Sequence, residues 1–273
     1  MNTNPVPEKF YGVSMRQQND THLDDVIEQV TNLGYAVLDG GYTTDQLTAI
    51  RNAFDATRTR YIAKYSEDVL RSTNEYNTIR AVLTYGDEEL FQLAFNENLM
   101  TVLKKLIHGK FILNQQNGII NPAQQTYNQG SWHRDIPYQH YVSSRPLAFN
   151  ALFCVDDFTL QNGSTWVLPA SHLKEPYPTP QYIERNAVQI EAKAGSFLLL
   201  DCMIYHTGGY NQTTKERRAV NHVFTIPFFK QQINIPNNMP ARELTTEQRE
   251  ILGFPYVEPP SVDAYIESRK GKV

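Results

Sequence analysis

Apolar positions in the first third of the chain recur at helical spacing. From Thr21 to Leu33, the residues Leu23, Val26, Ile27, Val30 and Leu33 share one helix face, with Thr21 placed to cap the start and Gly34 to stop it. Tyr35 to Leu38 then reads as a short strand. The capping-box pattern Thr43-x-x-Gln46 precedes Leu47, Ile50, Phe54, Tyr61 and Ile62 and predicts a second, long helix. A third helical stretch follows Asp87, continues through Leu99, Val102, Leu103 and Leu106, and stops at Gly109.

From Phe111 onward the texture changes to short apolar or alternating runs broken by Asn, Gly and Pro, the pattern of antiparallel strands. Strands are expected at 111–120, 131–136, 146–156, 164–168, 187–191, 196–201 and 217–228. So many short strands behind a helical cap predict a mainly β fold with N-terminal helices, a double-sheet, cupin-like jelly roll. The tail from Gln231 carries prolines at 236, 240, 255, 259 and 260 and reads as irregular, apart from a short helix near Thr246 to Leu252. A length of 273 residues suits one β-sandwich or barrel domain. The expected layout is a helical flank over 1–110, a jelly-roll core over 111–230 and a C-terminal extension over 231–273.

Charge narrows the partners. With 25 basic and 29 acidic residues the chain carries −4, and Lys104-Lys105, Arg217-Arg218 and Arg269-Lys270 are too short for a polybasic footprint. Neither nucleic acid nor a membrane surface is an expected partner, and nothing specifies an oligomer. Cys154 and Cys202 each sit in an apolar run, so no disulfide is expected. Met1 to Arg16 lacks the apolar core of a secretory signal, and no run of about eighteen apolar residues occurs. A soluble, cytoplasmic protein is the expectation.

The chemistry lies in a split set of metal-type side chains. His133 and Asp135 stand in Trp132-His-Arg-Asp-Ile-Pro-Tyr138, and His206 follows the apolar run Ser196 to Leu200. In an extended segment alternate side chains share a face, so His133 and Asp135 point one way and Arg134 the other. Folding the later strand back beside the first brings His206 to the pair. Two imidazoles and one carboxylate on one side of a metal leave the other side open, as non-haem Fe(II) enzymes need for oxygen and a co-substrate. His-x-Asp alone is common, and the plainer reading is polar residues at strand ends. Arg217-Arg218 adds weight, because it opens the apolar strand Ala219 to Phe228 after the tight loop Gly208 to Asn211. A guanidinium there can take the far carboxylate of a dicarboxylate such as 2-oxoglutarate in a two-pronged pair. Alternation turns one of the two arginines inward without saying which.

These residues carry a family resemblance. The stretch Ile119 to Phe228 resembles the phytanoyl-CoA dioxygenase family of Fe(II)/2-oxoglutarate oxygenases in four elements. They are the 132–138 motif, Asn162-Gly-x-x-x-x-Leu-Pro-Ala-Ser-His172, Ala194-Gly-Ser196 before an apolar strand, and His206-x-x-Gly-x-Asn-x-Thr-x-x-x-Arg217. Gly34 to Leu38 with its following helix, and Leu252-Gly-Phe-Pro255, extend the likeness over most of the chain. The resemblance implies a double-stranded β-helix, iron held by His133, Asp135 and His206, and Arg217 rather than Arg218 as the 2-oxoglutarate anchor. It further implies oxygen as second co-substrate, ascorbate as a candidate reductant, co-substrate contacts near Asn117, and Asn150 or Leu152 facing the pocket. Two positions depart from the pattern: Ala170, where glycine is usual, and Gly208, where a hydroxyl residue often touches 2-oxoglutarate.

Asp135 stands where related halogenases carry alanine or glycine, so hydroxylation, desaturation or ring closure of a small-molecule substrate is implied over halogenation. Tyr138 and Arg80 are candidate substrate contacts. His172 is expected to fix a turn, Trp132 to pack in the core, and His22, His108, His140 and His222 to bind no metal. Two other classes compete: a non-catalytic jelly-roll ligand-binding protein, and a cupin metalloenzyme that does not use 2-oxoglutarate. In the second, a pocket-facing Arg217 would be a charge that is costly to desolvate and has no partner.

Overall fold

The structure is a computed structural model that describes residues 10–136 and 138–270. The first nine residues of the N-terminal segment, Pro137 of the ligand motif and residues 271–273 lie outside the described residues.

Helix α1, His22–Leu33, starts in a reciprocal cap: the Thr21 side chain accepts from the Asp24 amide and the Asp24 carboxylate accepts from the Thr21 amide. It ends at Gly34, whose φ of 82° is left-handed. Strand β1, Tyr35–Asp39, follows, and α2, Thr44–Tyr65, begins at the Thr43/Gln46 capping box. A six-residue helix α3, Glu67–Ser72, was not expected. The expected third helix is two, α4 (Glu88–Leu93) and α5 (Glu97–Leu106). Asn96 divides them, because its side chain accepts from the Leu99 amide and so caps a new helix inside an otherwise continuous apolar pattern.

The remaining strands are β2 (Thr78–Ile79), β3 (Ile112–Asn121), β4 (Ala148–Cys154), β5 (Trp166–Leu168), β6 (Val188–Gln189), β7 (Ser196–Asp201), β8 (Tyr205–Thr207) and β9 (Arg217–Thr225). They form a six-stranded antiparallel sheet in the order β1-β7-β4-β9-β3-β2 and a three-stranded sheet β6-β5-β8. This is the two-sheet jelly roll. The stretch 131–136 is not a strand; it joins β8 through a single bridge in which His133 and His206 exchange both backbone hydrogen bonds. The helix over Pro180–Asn186 and the strand β8 also lie outside the expected elements.

Alternation along the large sheet separates packing from chemistry. One face carries Phe153, Phe197, Leu199, Val220 and Phe224 into the core shared with Val30, Phe54, Phe91 and Leu103 of the helices. Fully buried rings of this kind contribute about 1.5–3 kcal/mol each. The other face turns Leu152, Leu200, Ala219 and Asn221 toward the small sheet. Among the described residues no helix is long and apolar enough to cross a membrane.

Candidate metal centre

His133, Asp135 and His206 converge from the bridged loop and β8. Their donor atoms lie within 4.8 Å of one another, and the Nε2 atom of each histidine is 3.6 Å from Asp135 Oδ1. Backbone pairing sets this geometry: besides the His133–His206 exchange, the Asp135 amide donates to Cys202 O at 2.9 Å. Arg134 points the opposite way. It is buried, and its two terminal nitrogens donate to the carbonyls of Gln139, Glu175, Ser171 and Lys174, which fastens the loop to the 171–175 turn.

The donor chemistry fits a cation. Nδ1 of His133 is 2.7 Å from Ser131 O, and Nδ1 of His206 is 3.0 Å from Ile204 O. Each neutral ring therefore carries its proton on Nδ1 and turns an Nε2 lone pair toward the carboxylate, the tautomer that outer carbonyls impose on metal-binding histidines. Burial pushes the Asp135 carboxyl upward, but the His206 and His133 imidazoles and the Asn150 amide outweigh it and hold the group at about 2. Burial holds His206 below its ordinary value, whereas at His133 the Asp135 carboxylate overcomes burial and raises it. A metal ion in this position would replace that proton-dependent attraction with coordination.

The three donors open onto a cavity also lined by Ile119, Tyr127, Asn150, Leu152, Arg217 and Asn221. Arg217 is 3% exposed and forms no ion pair among the described residues. Its Nη2 donates to Gly163 O at 3.1 Å, its Nε reaches Asn162 O at 3.4 Å, and its guanidinium lies 3.9 Å from the Phe158 ring centre. Burial lowers its pKa, with Tyr127 opposing. Arg218, one position on, faces away and is paired at 2.7 Å with both Asp156 and Asp55.

Residues 31–219 match the family described as phytanoyl-CoA dioxygenase (PhyH). The chain belongs to this family. As a phytanoyl-CoA dioxygenase family member it is a non-haem iron, 2-oxoglutarate-dependent dioxygenase. It is 30% identical over 227 residues to an uncharacterized protein of Mycobacterium tuberculosis, covering 81% of this chain and 82% of that one. It is 24% identical over 205 residues to the iron/alpha-ketoglutarate-dependent dioxygenase AusU of Aspergillus calidoustus, covering 71% and 67% respectively. Among solved structures, EctD from S. alaskensis, crystallised with 2-oxoglutarate and 5-hydroxyectoine, superposes with a TM-score of 0.64 at 21% identity over 79% of this chain and 80% of that one. The epimerase SnoN, in complex with Fe3+, alpha ketoglutarate and nogalamycin RO, gives 0.58 at 14% identity over 82% and 92%.

Other expected site residues of this dioxygenase fall in different places. Asn150 lines the cavity, but its Nδ2 donates to Asp135 Oδ2 at 2.9 Å, so it touches the carboxylate rather than open space. Asn117 does not line the cavity: its Oδ1 accepts from the Ala81 amide at 3.1 Å and its Nδ2 donates to Gln232 at 3.1 Å. Arg80 is also elsewhere, paired with Glu75 at 2.6 Å. Tyr138 is 68% exposed and does not line the cavity. His172 holds the last turn of α1 through Thr31 O at 3.2 Å, and Trp132 stacks on Tyr205 at 5.2 Å, half-buried rather than in the core. The sequence reading missed Tyr127, Thr165 and Asn221, which the fold brings to the cavity wall. Asn221 left a signal, being polar in a β9 row whose alternate positions are apolar.

Proposed function

We propose that His133, Asp135 and His206 hold one Fe(II) ion, that Arg217 anchors the distal carboxylate of 2-oxoglutarate, and that the enzyme oxidises a C–H bond of a small-molecule metabolite with release of succinate and CO2. One observation carries the reading: a single cavity joins three lone-pair donors facing one another to a buried guanidinium that has no carboxylate partner among the described residues. Each half is unfavourable alone. A buried unpaired cation costs several kcal/mol, and an anion with two oxygens matches the fork of its donors.

With ferrous iron held by these three residues and chelated by the 2-oxo acid, O2 would be activated as the oxidant, one oxygen atom ending in succinate and the other available for C–H oxidation. The protein's own groups orient and shield. The Asn150 amide holds Asp135 Oδ2 and leaves Oδ1 facing the two histidines. The apolar walls Leu152, Leu200 and Ile119 exclude water from the co-substrate end. Asp135 fills the carboxylate position, so a halide has no place there, and hydroxylation is the outcome favoured over halogenation. Solved neighbours with this fold include an epimerase and a carbocyclase, so the substrate's presentation, not the frame, decides among hydroxylation, desaturation and ring closure.

The test is an anaerobic titration of the protein with Fe(II) and 2-oxoglutarate. A metal-to-ligand charge-transfer band that requires both is the expected result, and its absence in folded protein would overturn the reading. Substrate-triggered succinate release across candidate metabolites then identifies the substrate class.

A further inference from the structure

We propose that the phenolic hydroxyl of Tyr127 is a second co-substrate contact, donating beside Arg217 to the distal carboxylate of 2-oxoglutarate, and that residue 208 is glycine to make room for it. The inference rests on reading the cavity as a 2-oxoglutarate pocket and adds a residue that the family motifs do not contain.

Space is the first observation. A Cβ placed on Gly208 would lie 2.0 Å from the Tyr127 hydroxyl oxygen and 2.9 Å from its Cζ. The end of the phenol ring therefore occupies the volume that any side chain at 208 would need. Gly208 is not among the glycines with positive φ, so its backbone conformation does not call for glycine; the neighbour does. Nor can the neighbour step aside freely. The Gly208 amide donates to Gln129 O at 2.9 Å, which pins the loop carrying Tyr127 against the end of β8.

Hydrogen bonding is the second. Tyr127 is half-buried at the cavity wall, and the Arg217 guanidinium beside it opposes the rise in pKa that burial gives the phenol. A guanidinium only donates, so toward Arg217 the phenol oxygen can act only as acceptor, and its own proton is left for another acceptor. Both groups line the cavity that holds the metal-type donors. A carboxylate meeting them receives one bond from the guanidinium and one from the hydroxyl, each strengthened by the anion's charge. The loop thus supplies over the length of a tyrosine what a short hydroxyl side chain on β8 would supply from position 208.

Equilibrium binding tests this without turnover. Under anaerobic conditions the Fe(II)-loaded wild type and Tyr127→Phe are titrated with 2-oxoglutarate and with 2-oxopentanoate, which has the same carbon chain without the distal carboxylate. Tyr127→Phe should weaken 2-oxoglutarate by about 10-fold or more, the worth of a hydrogen bond to a charged group, and leave 2-oxopentanoate unchanged. Equal 2-oxoglutarate affinity in the two proteins would overturn the proposal, and so would equal weakening of both acids, which marks a packing role. Gly208→Ala, whose Cβ drives the phenol from its place without bringing a hydroxyl of its own, should also weaken 2-oxoglutarate selectively; wild-type affinity in that variant would overturn the fit between the two residues. A wild type that binds no 2-oxoglutarate would instead fail the proposed function itself, an outcome distinct from a flat comparison of variants.

Discussion

Arg134 and Arg217 are 2% and 3% exposed, yet the regions around them treat the charge differently. Around Arg134 the chain closes in. Four backbone carbonyls, from Gln139, Ser171, Lys174 and Glu175, accept from its two terminal nitrogens, and the Tyr177 ring lies 5.1 Å away. Around Arg217 the chain stays open, offering two carbonyls, a phenol and the wall of a cavity. Burial alone therefore does not mark a functional cation. A buried charge whose terminal donors are all taken braces a loop, whereas one left with free donors beside a cavity is built for a ligand.

The largest effect expected from this difference separates stability from binding. Arg217→Met should reduce 2-oxoglutarate affinity by roughly 100-fold or more, the scale of removing one partner from a buried charge pair. Its unfolding free energy should hold or rise, because the substitution removes an uncompensated buried charge. Arg134→Met should do the reverse: a loss of about 3–5 kcal/mol in denaturant unfolding, from carbonyls stripped of donors, with 2-oxoglutarate affinity changed only in proportion to misfolding. If both variants destabilise alike, the two arginines are braces of one kind and the contrast fails.

A smaller effect sharpens the cavity side. Asn150→Leu removes the donor on Asp135 Oδ2 and should lower metal affinity about 10–100-fold, as loss of outer hydrogen-bond partners generally does. Once the metal is saturated, 2-oxoglutarate should bind this variant as it binds wild type. A co-substrate defect with unchanged metal affinity would show instead that Asn150 contacts 2-oxoglutarate directly.

What the sequence made legible follows the range of the interactions. The caps at Thr21, Thr43 and Thr245 involve residues three positions apart and were readable directly, or as the short helix near Thr246 in the last case. The sharing of a face by His133 and Asp135 needed only extended alternation, which held although 131–136 forms a bridge and not a strand. Strand β8 escaped notice because three residues carry no period; its pairing with β5 creates it. The choice between Arg217 and Arg218, which the family resemblance makes and bare alternation leaves open, is also written in the strand's two rows: Val220 and Phe224 form the bulky row with Arg218, and Ala219 and Asn221 the small and polar row with Arg217. Asn117 shares that second row, in register with Asn221, and only the fold shows that the Ala81 amide takes up its side chain. Tyr127 left no local trace except the missing side chain at 208, since a loop contact across about 80 residues has no period at all.

The smallest expected effect concerns pH and compares a second pair of buried groups, both away from the cavity. His222 is fully buried on the helix-facing side of β9, with Nδ1 donating to Ala151 O at 3.0 Å and Nε2 meeting the Gln116 amide nitrogen at 2.9 Å. Burial first of all pushes its pKa from 6.5 down to about 4. A second proton would also confront the Gln116 N–H. The unfolded chain therefore takes up this proton before the folded one, so stability present above 6.5 is lost as pH falls toward 4. Asp201 runs the other way. Burial raises it from 3.8 to about 6, so the folded state holds its proton longer and the stability present below 3.8 is lost as pH rises through 6. His222→Gln keeps one donor and one acceptor in place and removes the first term; Asp201→Asn removes the second. Relative to wild type, acidification from about pH 7.5 to about pH 5.5 should cost the His222 variant about 1 kcal/mol less and the Asp201 variant about 1 kcal/mol more, measured by urea unfolding at each pH. The two displacements have opposite sign because one group is buried without its proton and the other with it. Variants whose profiles run parallel to wild type would show that neither site holds its charge state on folding.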